Sequence, residues 1–260
     1  MRKVIFFSTF CFISSCSTTI DYQGSTNTYT SPEVAGETMG ISGQLEFGNS
    51  TKFSLATLEQ SNIFSSNINV DLSSGMAKDN VLSAQAALGL GKKFELYYRA
   101  LADSPDLLGG KFQVLGEGAI KKADGFKLLV FGGYGPGMDD DEKFTATNGS
   151  GGSREYDSKL NVSMYEFGIS LGQRFKKMYI VYLTPFYREF KADATLTSTS
   201  YPTVQINKKS IVKGCNVGVR LEADTKFFIN LEAGYAHSQY SSTIQRDDYT
   251  LGGAAGITSF

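Results

Sequence analysis

The stretch from residue 163 to residue 191, SMYEFGISLGQRFKKMYIVYLTPFYREFK, decides the fold. Aromatic and aliphatic residues occupy the odd positions near its start, namely Tyr165, Phe167, Ile169 and Leu171. Polar or small residues occupy the even positions, namely Glu166, Gly168, Ser170, Gly172 and Arg174. This period of two predicts a β-strand with one apolar face. Because only Lys176 and Lys177 separate it from a second strand-like segment, the stretch predicts a β-hairpin.

The same alternation recurs from residue 39 to the C-terminus and predicts ten strands, with residues 39–57 forming one long strand. Short turns at residues 91–93, 121–125, 176–177 and 224–226 alternate with long polar connections at 59–79, 102–110, 136–158, 192–208 and 239–247. Strands of ten or more residues that are joined alternately by short turns and long connections are typical of barrels that cross a membrane. The sequence therefore predicts an all-β, antiparallel up-and-down membrane β-barrel of about ten strands, with eight or twelve as alternatives.

The N-terminus has the layout of a secretory signal, because Arg2 and Lys3 precede the apolar run VIFFSTFCFI at residues 4–13. That run is too short to span a bilayer. Residues 13–16, Ile-Ser-Ser-Cys, resemble the lipobox of bacterial lipoproteins, which implies cleavage before Cys16 and lipid such as palmitate on its sulfur. An ordinary signal cut further on is the alternative. The expected division is a signal peptide over 1–15, a lipidated flexible tether over 16–37 and a barrel domain over 38–260.

Composition narrows the function further. The chain has 25 basic and 26 acidic residues, so it offers no field that would attract nucleic acid. Cys11 leaves with the predicted signal and Cys16 is assigned to lipid, so Cys215 has no partner and the protein is not a disulfide scaffold. No segment after residue 15 is apolar enough for a membrane helix, so strands must make any crossing.

The polar faces of the strands carry charges of both signs. In a narrow membrane barrel such charges are enclosed and must pair, which predicts a lumen filled by an ion-pair network. The expected network residues are Glu95, Arg99, Glu117, Glu166, Arg174, Arg188, Arg220, Glu222 and Glu232. Tyrosines near strand ends are candidates for interfacial girdles, namely Tyr98, Tyr134, Tyr179, Tyr187 and Tyr235.

Alternation alone does not show whether the apolar face of the strands points out of the barrel or into it. In the latter case, a tethered lipocalin-like barrel exposes its charges to water and binds an apolar ligand inside. Its cavity is then lined by Phe94, Leu96, Phe167, Ile169, Val217, Val219, Phe227 and Ile229.

The signal, the alternating strands, the loop rhythm and the terminal Phe260 together resemble small bacterial outer-membrane β-barrel proteins over residues 38–260. The resemblance implies that Phe260 is the signal for the barrel-assembly machinery. It also implies outer-membrane lipid and the lipoprotein-processing machinery as partners. The even-numbered residues before Phe260 depart from the family by being small: Gly252, Ala254, Gly256 and Thr258. The expected role is structural, adhesive or surface-interacting, with a narrow pore as a further option and an unidentified surface ligand at the outer loops.

Signs of catalysis or metal binding are sparse. His237, the only histidine, lies beside Ser238 and close to Asp247 and Asp248, so a barrel hydrolase is a minor alternative. Residues 139–143, DDDEK, lack the alternating spacing of a calcium loop. No metal, cofactor or catalytic residue is assigned.

Overall fold

The computed structural model describes residues 19–59, 71–147, 153–198, 201–222 and 226–259. Eleven strands and one turn of 3-10 helix lie in this part: β1 (Thr19–Ser25), β2 (Thr38–Glu59), β3 (Asp71–Leu90), β4 (Phe94–Leu101), β5 (Leu107–Leu115), the 3-10 turn (Ala119–Lys121), β6 (Gly125–Thr147), β7 (Ser153–Phe175), β8 (Tyr179–Ser198), β9 (Tyr201–Glu222), β10 (Phe227–Gln239) and β11 (Gln245–Ser259). Within the described residues, no helix is long and apolar enough to span a membrane.

Strands β2 to β11 form a closed ring in which each strand pairs antiparallel with the next. The ring closes because β2 pairs with β3 on one side and with β11 on the other, with Gly48 opposite Gly252. β1 is not part of the ring. It pairs with residues 50–57 of β2, beyond the point at which β11 separates from β2. The prediction of an all-β, antiparallel up-and-down barrel of about ten strands is confirmed.

The connections divide between two ends of the barrel. We call the end with the β3–β4, β5–β6, β7–β8 and β9–β10 connections the turn end, and the opposite end the loop end. Two of the predicted long loops at the loop end are largely strand: β6 and β7 pair as far as Thr147 opposite Ser153, and β8 and β9 as far as Ser198 opposite Tyr201. On β8, the inward residues Ala192, Ala194 and Leu196 alternate with the polar outward residues Lys191 and Asp193, and this mixed composition resembles that of a loop.

The half of the barrel nearer the turn end carries its apolar side chains on the outside. We call this exposed band the apolar belt, and its members include Leu45, Phe47, Leu82, Leu96, Leu108, Phe112, Phe167, Leu183, Val217, Ile229, Leu231, Leu251 and Ile257. Phe167 is 56% exposed and Val217 is 53% exposed. The lipocalin-like alternative is therefore wrong, because the side chains assigned to its cavity lie on the outer face.

Aromatic side chains mark both edges of the apolar belt. Six outward tyrosines follow the edge toward the loop end: Tyr98, Tyr134, Tyr165, Tyr187, Tyr235 and Tyr249. Neighbouring members touch, with ring centroids of Tyr134 and Tyr165 4.8 Å apart. At the turn end the edge is formed by Phe94, Phe112, Phe126, Tyr179 and Phe227.

Beyond the tyrosines, the polarity of the wall inverts. On β8, Phe190, Ala192, Ala194 and Leu196 are buried inside the barrel, while Glu189, Lys191 and Asp193 face outward. We call this part of β6 to β9 the extension. β2 changes environment at the same level: Phe47 is exposed, but Phe53 lies on the same strand face and packs against Phe190 and Tyr240. The extension thus has the apolar core of a water-exposed β-domain.

The predicted flexible tether over residues 16–37 is wrong for residues 22–35, because every one of them is buried. They run through the interior of the barrel. Many of their polar side chains and backbone groups form hydrogen bonds to the inner wall, which take the place of bonds to water. Residues 16–18, including Cys16, lie outside the described residues, as does Phe260.

Candidate functional site

The candidate site is the lumen together with the segment that occupies it, residues 21–36, which we call the plug. Near the loop end, the backbone nitrogen of Gln23 donates to the carbonyl of Asp103 at 2.8 Å, and that of Thr26 donates to Asn49 at 3.0 Å. Near the turn end, the backbone nitrogen of Ala119 donates to the carbonyl of Val34 at 2.9 Å. The plug therefore passes along the lumen from the loop end to the turn end.

Two arginines hold the middle of the plug by its backbone. Arg188 donates from Nη2 to the carbonyl of Asn27 at 3.0 Å and from Nη1 to the carbonyl of Ser25. Arg99 donates from Nη2 to the carbonyl of Thr28 at 2.6 Å. The two arginines share one counter-ion, because the Glu166 carboxylate pairs with the Arg188 Nε and lies 3.3 Å from the Arg99 Nη1. All three side chains are buried, so the Arg188 and Glu166 charges balance each other, whereas Arg99 also has the buried Glu46 carboxylate 3.4 Å from its Nε.

A second ion-pair cluster holds the plug nearer the turn end. The Arg174 Nε donates to the Glu33 carboxylate of the plug at 2.9 Å, and its Nη1 donates to Glu222 at 2.8 Å. Lys127 also reaches Glu33, with 3.1 Å between Nζ and Oε1. Arg220 donates to Glu222 at 2.8 Å. Glu33 is thus the plug's own charged anchor.

Backbone donors of the plug are also satisfied by the wall. The Ala35 nitrogen donates to Glu95 at 2.8 Å, and Glu95 pairs with Lys111 at 3.0 Å. The Thr28 nitrogen donates to Glu232 at 3.0 Å. Both carboxylates come from strands of the ring. The wall therefore offers acceptors as well as donors at fixed positions along the plug.

Tyr29 locks the plug into the wall where β2 and β11 separate. Its hydroxyl donates to the carbonyl of Phe47 at 2.7 Å, and its backbone has φ of 50°, a conformation uncommon outside glycine. Gly48 and Gly252 make the space: a Cβ on Gly48 would lie 2.0 Å from the hydroxyl oxygen, and one on Gly252 1.9 Å from it. We call this feature the glycine notch.

The Gly252→Ala substitution should therefore destabilise the folded protein by about 1–3 kcal/mol, because its methyl group displaces the Tyr29 hydroxyl. The measurement is the free energy of unfolding by urea in detergent micelles, followed by circular dichroism. Gly253→Ala is the matched control, since its Cβ would face the apolar belt with the nearest atom of Leu231 at 3.5 Å. A double variant with Tyr29→Ala should lose less than the sum of the two single variants. Equal stability of the Gly252→Ala and Gly253→Ala proteins would contradict the notch.

The structure places the nine residues proposed for the lumen network as follows. Buried inside and in contact with the plug or with each other are Glu95, Arg99, Glu166, Arg174, Arg188 and Glu232. Arg220 and Glu222 are part-buried at the same cluster. Glu117 was wrongly assigned: it lies on the β5–β6 connection, its side chain is 53% exposed, and it pairs with Lys121. The strand β5 ends at Leu115, so the alternation of inward and outward positions does not extend to Glu117.

The predicted network lacks four charged residues that are buried in the lumen: Glu33, Glu46, Lys111 and Lys127. Glu33 was hidden in the supposed tether. The other three lie at inward positions of β2, β5 and β6, so strict alternation from their neighbours could have found them. The small inward residues of β11 were a further signal, because Gly252, Ala254 and Gly256 leave room for an occupant of the lumen.

His237 and its neighbours do not assemble a hydrolase site. The His237 Nδ1 lies 2.7 Å from Asp247 on the outer face, and the Tyr235 hydroxyl and the His237 ring hold the pKa of the Asp247 carboxyl below its usual range. Ser238 points to the interior, where its hydroxyl meets that of Thr51 at 2.7 Å. Asp248 pairs with Arg246. The nearest hydroxyl in sequence is thus on the opposite face from the histidine.

No protein-family model and no curated protein matches this sequence. Among solved structures, Ail, the attachment invasion locus protein of Yersinia pestis, aligns with a TM-score of 0.30 and 10% identity over 85% of this chain and 99% of that chain. Ail in complex with the heparin analogue sucrose octasulfate aligns with a TM-score of 0.33 and 9% identity over 85% of this chain and 99% of that chain. The outer membrane protease OmpT from Escherichia coli aligns with a TM-score of 0.33 and 11% identity over 85% of this chain and 91% of that chain.

Proposed function

We propose that this chain is a bacterial outer-membrane β-barrel whose lumen is closed by its own plug and whose extension forms a surface platform. The inversion of polarity along the barrel carries this proposal. Below the six tyrosines the outer face is apolar and the interior is charged, whereas above them the interior is apolar and the outer face is polar. Water-soluble proteins do not expose a continuous apolar band of this extent, so the band is explained by lipid.

The filled lumen favours a structural or adhesive role over a narrow pore. The plug occupies the belt level, and the apolar core occupies the extension, where Tyr22 packs on Phe53 with ring centroids 5.1 Å apart. The extension continues for about ten residues of β8 beyond Tyr187, or roughly 30 Å of strand. Such a rigid projection displays the loop end, where an unidentified surface ligand would bind.

The direction of the plug bears on the lipid proposed for Cys16. β1 pairs with the outer part of β2, and Thr19, the first residue that the structure describes, lies opposite Thr57 at the loop end. Cys16 is three residues from Thr19, a span of at most about 11 Å of extended chain. Lipid on Cys16 would thus be tethered on the surface side. The proposal retains the lipoprotein-processing machinery for Cys16 and the barrel-assembly machinery for Phe260 as partners.

A single cysteine in the apolar belt tests the membrane assignment. In a chain that also carries Cys215→Ala, Val217→Cys in isolated outer membranes should not react with a sulfonated, water-soluble maleimide until the protein is unfolded in detergent and urea, because lipid excludes both the reagent and the thiolate that it needs. Asp193→Cys is the matched control, since it faces outward in the extension and should react with the water-soluble reagent. Reaction of Val217→Cys with the water-soluble reagent at the rate of the control would refute the membrane belt.

A further inference from the structure

Lysines are concentrated at the turn end of the barrel. Seven described lysines lie there: Lys92, Lys93, Lys121, Lys122, Lys176, Lys177 and Lys226. The described carboxylates on the same connections and at the end of the plug are three: Glu37, Glu117 and Asp124. Because the whole chain has a net charge of −1, this excess of positive charge is local to one end.

Three of these lysines occupy backbone positions that suit other residues. Lys122, Lys176 and Lys177 have φ angles of 43°, 50° and 58°, in the left-handed region. The three-residue β7–β8 connection contains a β-turn that the Met178 nitrogen closes by donating to the carbonyl of Phe175 at 3.1 Å. Turns with positive φ at both central residues favour Asn followed by Gly, because these residues adopt positive φ with little strain. The β7–β8 turn has two lysines instead. The geometry of the turn does not require lysine, so the side-chain charge is what distinguishes these residues from the better turn formers.

The lysines also lie next to the aromatic edge of the apolar belt. Lys93 precedes Phe94, Lys226 precedes Phe227, and Lys177 lies two residues from Tyr179. Aromatic side chains at the edge of a barrel's apolar band lie at the level where lipid tails meet headgroups. Ammonium groups on adjacent residues therefore reach the level of the lipid phosphates.

Few protein groups neutralise these lysines. Within the part of the chain that the structure describes, Lys121 is the only one of the seven in an ion pair, with Glu117 at 2.9 Å, and both side chains are more than half exposed. The Lys93 Nζ donates to the carbonyl of Val114 at 3.4 Å. The remaining charge is available to an external anion.

We propose that the seven lysines at the turn end, which we call the lysine rim, bind the headgroups of anionic phospholipids, such as phosphatidylglycerol, in the leaflet at that end. The inference rests on the membrane barrel proposed above. A basic rim beside an aromatic edge attracts anionic lipid by the same electrostatics as a polybasic segment next to a membrane. Anionic lipid should accordingly stabilise the folded barrel more than neutral lipid does.

The test uses the full-length protein in vesicles of phosphatidylcholine alone or with one third phosphatidylglycerol. The readout is the temperature at which the folded band is lost on unboiled gels. Phosphatidylglycerol should raise this temperature by about 5 °C or more for the unaltered protein. The increase should fall to less than half in a variant with Lys92→Gln, Lys93→Gln, Lys176→Asn and Lys177→Gly. The Asn-Gly pair preserves the turn, so loss of charge is the change that is measured.

Two matched variants separate the outcomes. Arginine at the same four positions should retain the full increase, and Lys159→Gln with Lys208→Gln, both exposed in the extension, should also retain it. An equal increase in the neutral-rim and unaltered proteins would overturn the lysine rim while leaving the membrane barrel intact. Absence of a heat-sensitive folded band in phosphatidylcholine alone would instead overturn the barrel on which the rim rests.

Discussion

Replacing Arg188 with methionine should lower the free energy of unfolding by about 3–5 kcal/mol. The substitution removes the donor to two plug carbonyls, at Ser25 and Asn27, and one of two arginines that pair with Glu166. Glu166 then relies on Arg99, whose Nη1 is 3.3 Å from it. Because all of these groups are buried, water does not readily replace the lost interactions.

Urea unfolding of the protein in detergent micelles, followed by circular dichroism, measures the effect. Arg246→Met is the matched control: the Arg246 side chain, which pairs with Asp248, is 36% exposed, and ion pairs at the surface contribute about 0–1 kcal/mol. Adding Glu166→Gln to Arg188→Met should cost less than the sum of the two single variants, because the two residues share one ion pair. A loss below 1 kcal/mol for Arg188→Met would mean that the plug is not held by this arginine.

The sequence predicted the barrel well because strand alternation is local. The hairpin from residue 163 to residue 191 shows its two faces without any knowledge of the rest of the chain, and its turn lies where it was expected. The inward positions of Glu166, Arg174 and Arg188 follow from the same alternation. What alternation could not supply is the environment of each face. On β2, one face meets lipid at Phe47 and a protein core at Phe53, and only the separation of β11 from β2 at Gly48 explains the change.

The plug was missed because its interactions are long-range. Ser, Thr and Asn between residues 25 and 31 have no period that buries a face, which is the usual signature of a solvated linker. The wall of the barrel binds this segment through hydrogen bonds to its backbone and not through contacts with an apolar face. Arg99 and Arg188 bind carbonyls of residues more than 70 and 160 positions earlier in the chain, which no local pattern reveals. The small inward residues of β11 were the one visible hint, since they leave space in the lumen.

The extension makes a second large prediction, which is independent of lipid. Phe190→Ala should lower the free energy of unfolding by about 3–5 kcal/mol, the range for removing a fully buried aromatic side chain. Phe190 is 0% exposed, and its ring centroid lies 5.7 Å from that of Tyr22 and 6.0 Å from that of Phe53. The substitution leaves a cavity between the plug, β2 and β8.

Lys191→Ala is the matched control, because Lys191 is the next residue on β8 and faces outward. Because its Nζ lies 5.3 Å from the centroid of the exposed Tyr165 ring, the substitution should change the free energy of unfolding by no more than about 1 kcal/mol. Urea unfolding in phosphatidylcholine vesicles and in detergent micelles should give the same loss for Phe190→Ala, since the cavity is walled by protein and not by lipid. If the extension were a loosely packed set of loops, the loss would fall below 1 kcal/mol. A full loss that is equal in both environments requires a core formed jointly by the extension and the plug, and it would explain how a Ser- and Thr-rich N-terminal segment becomes part of the folded barrel.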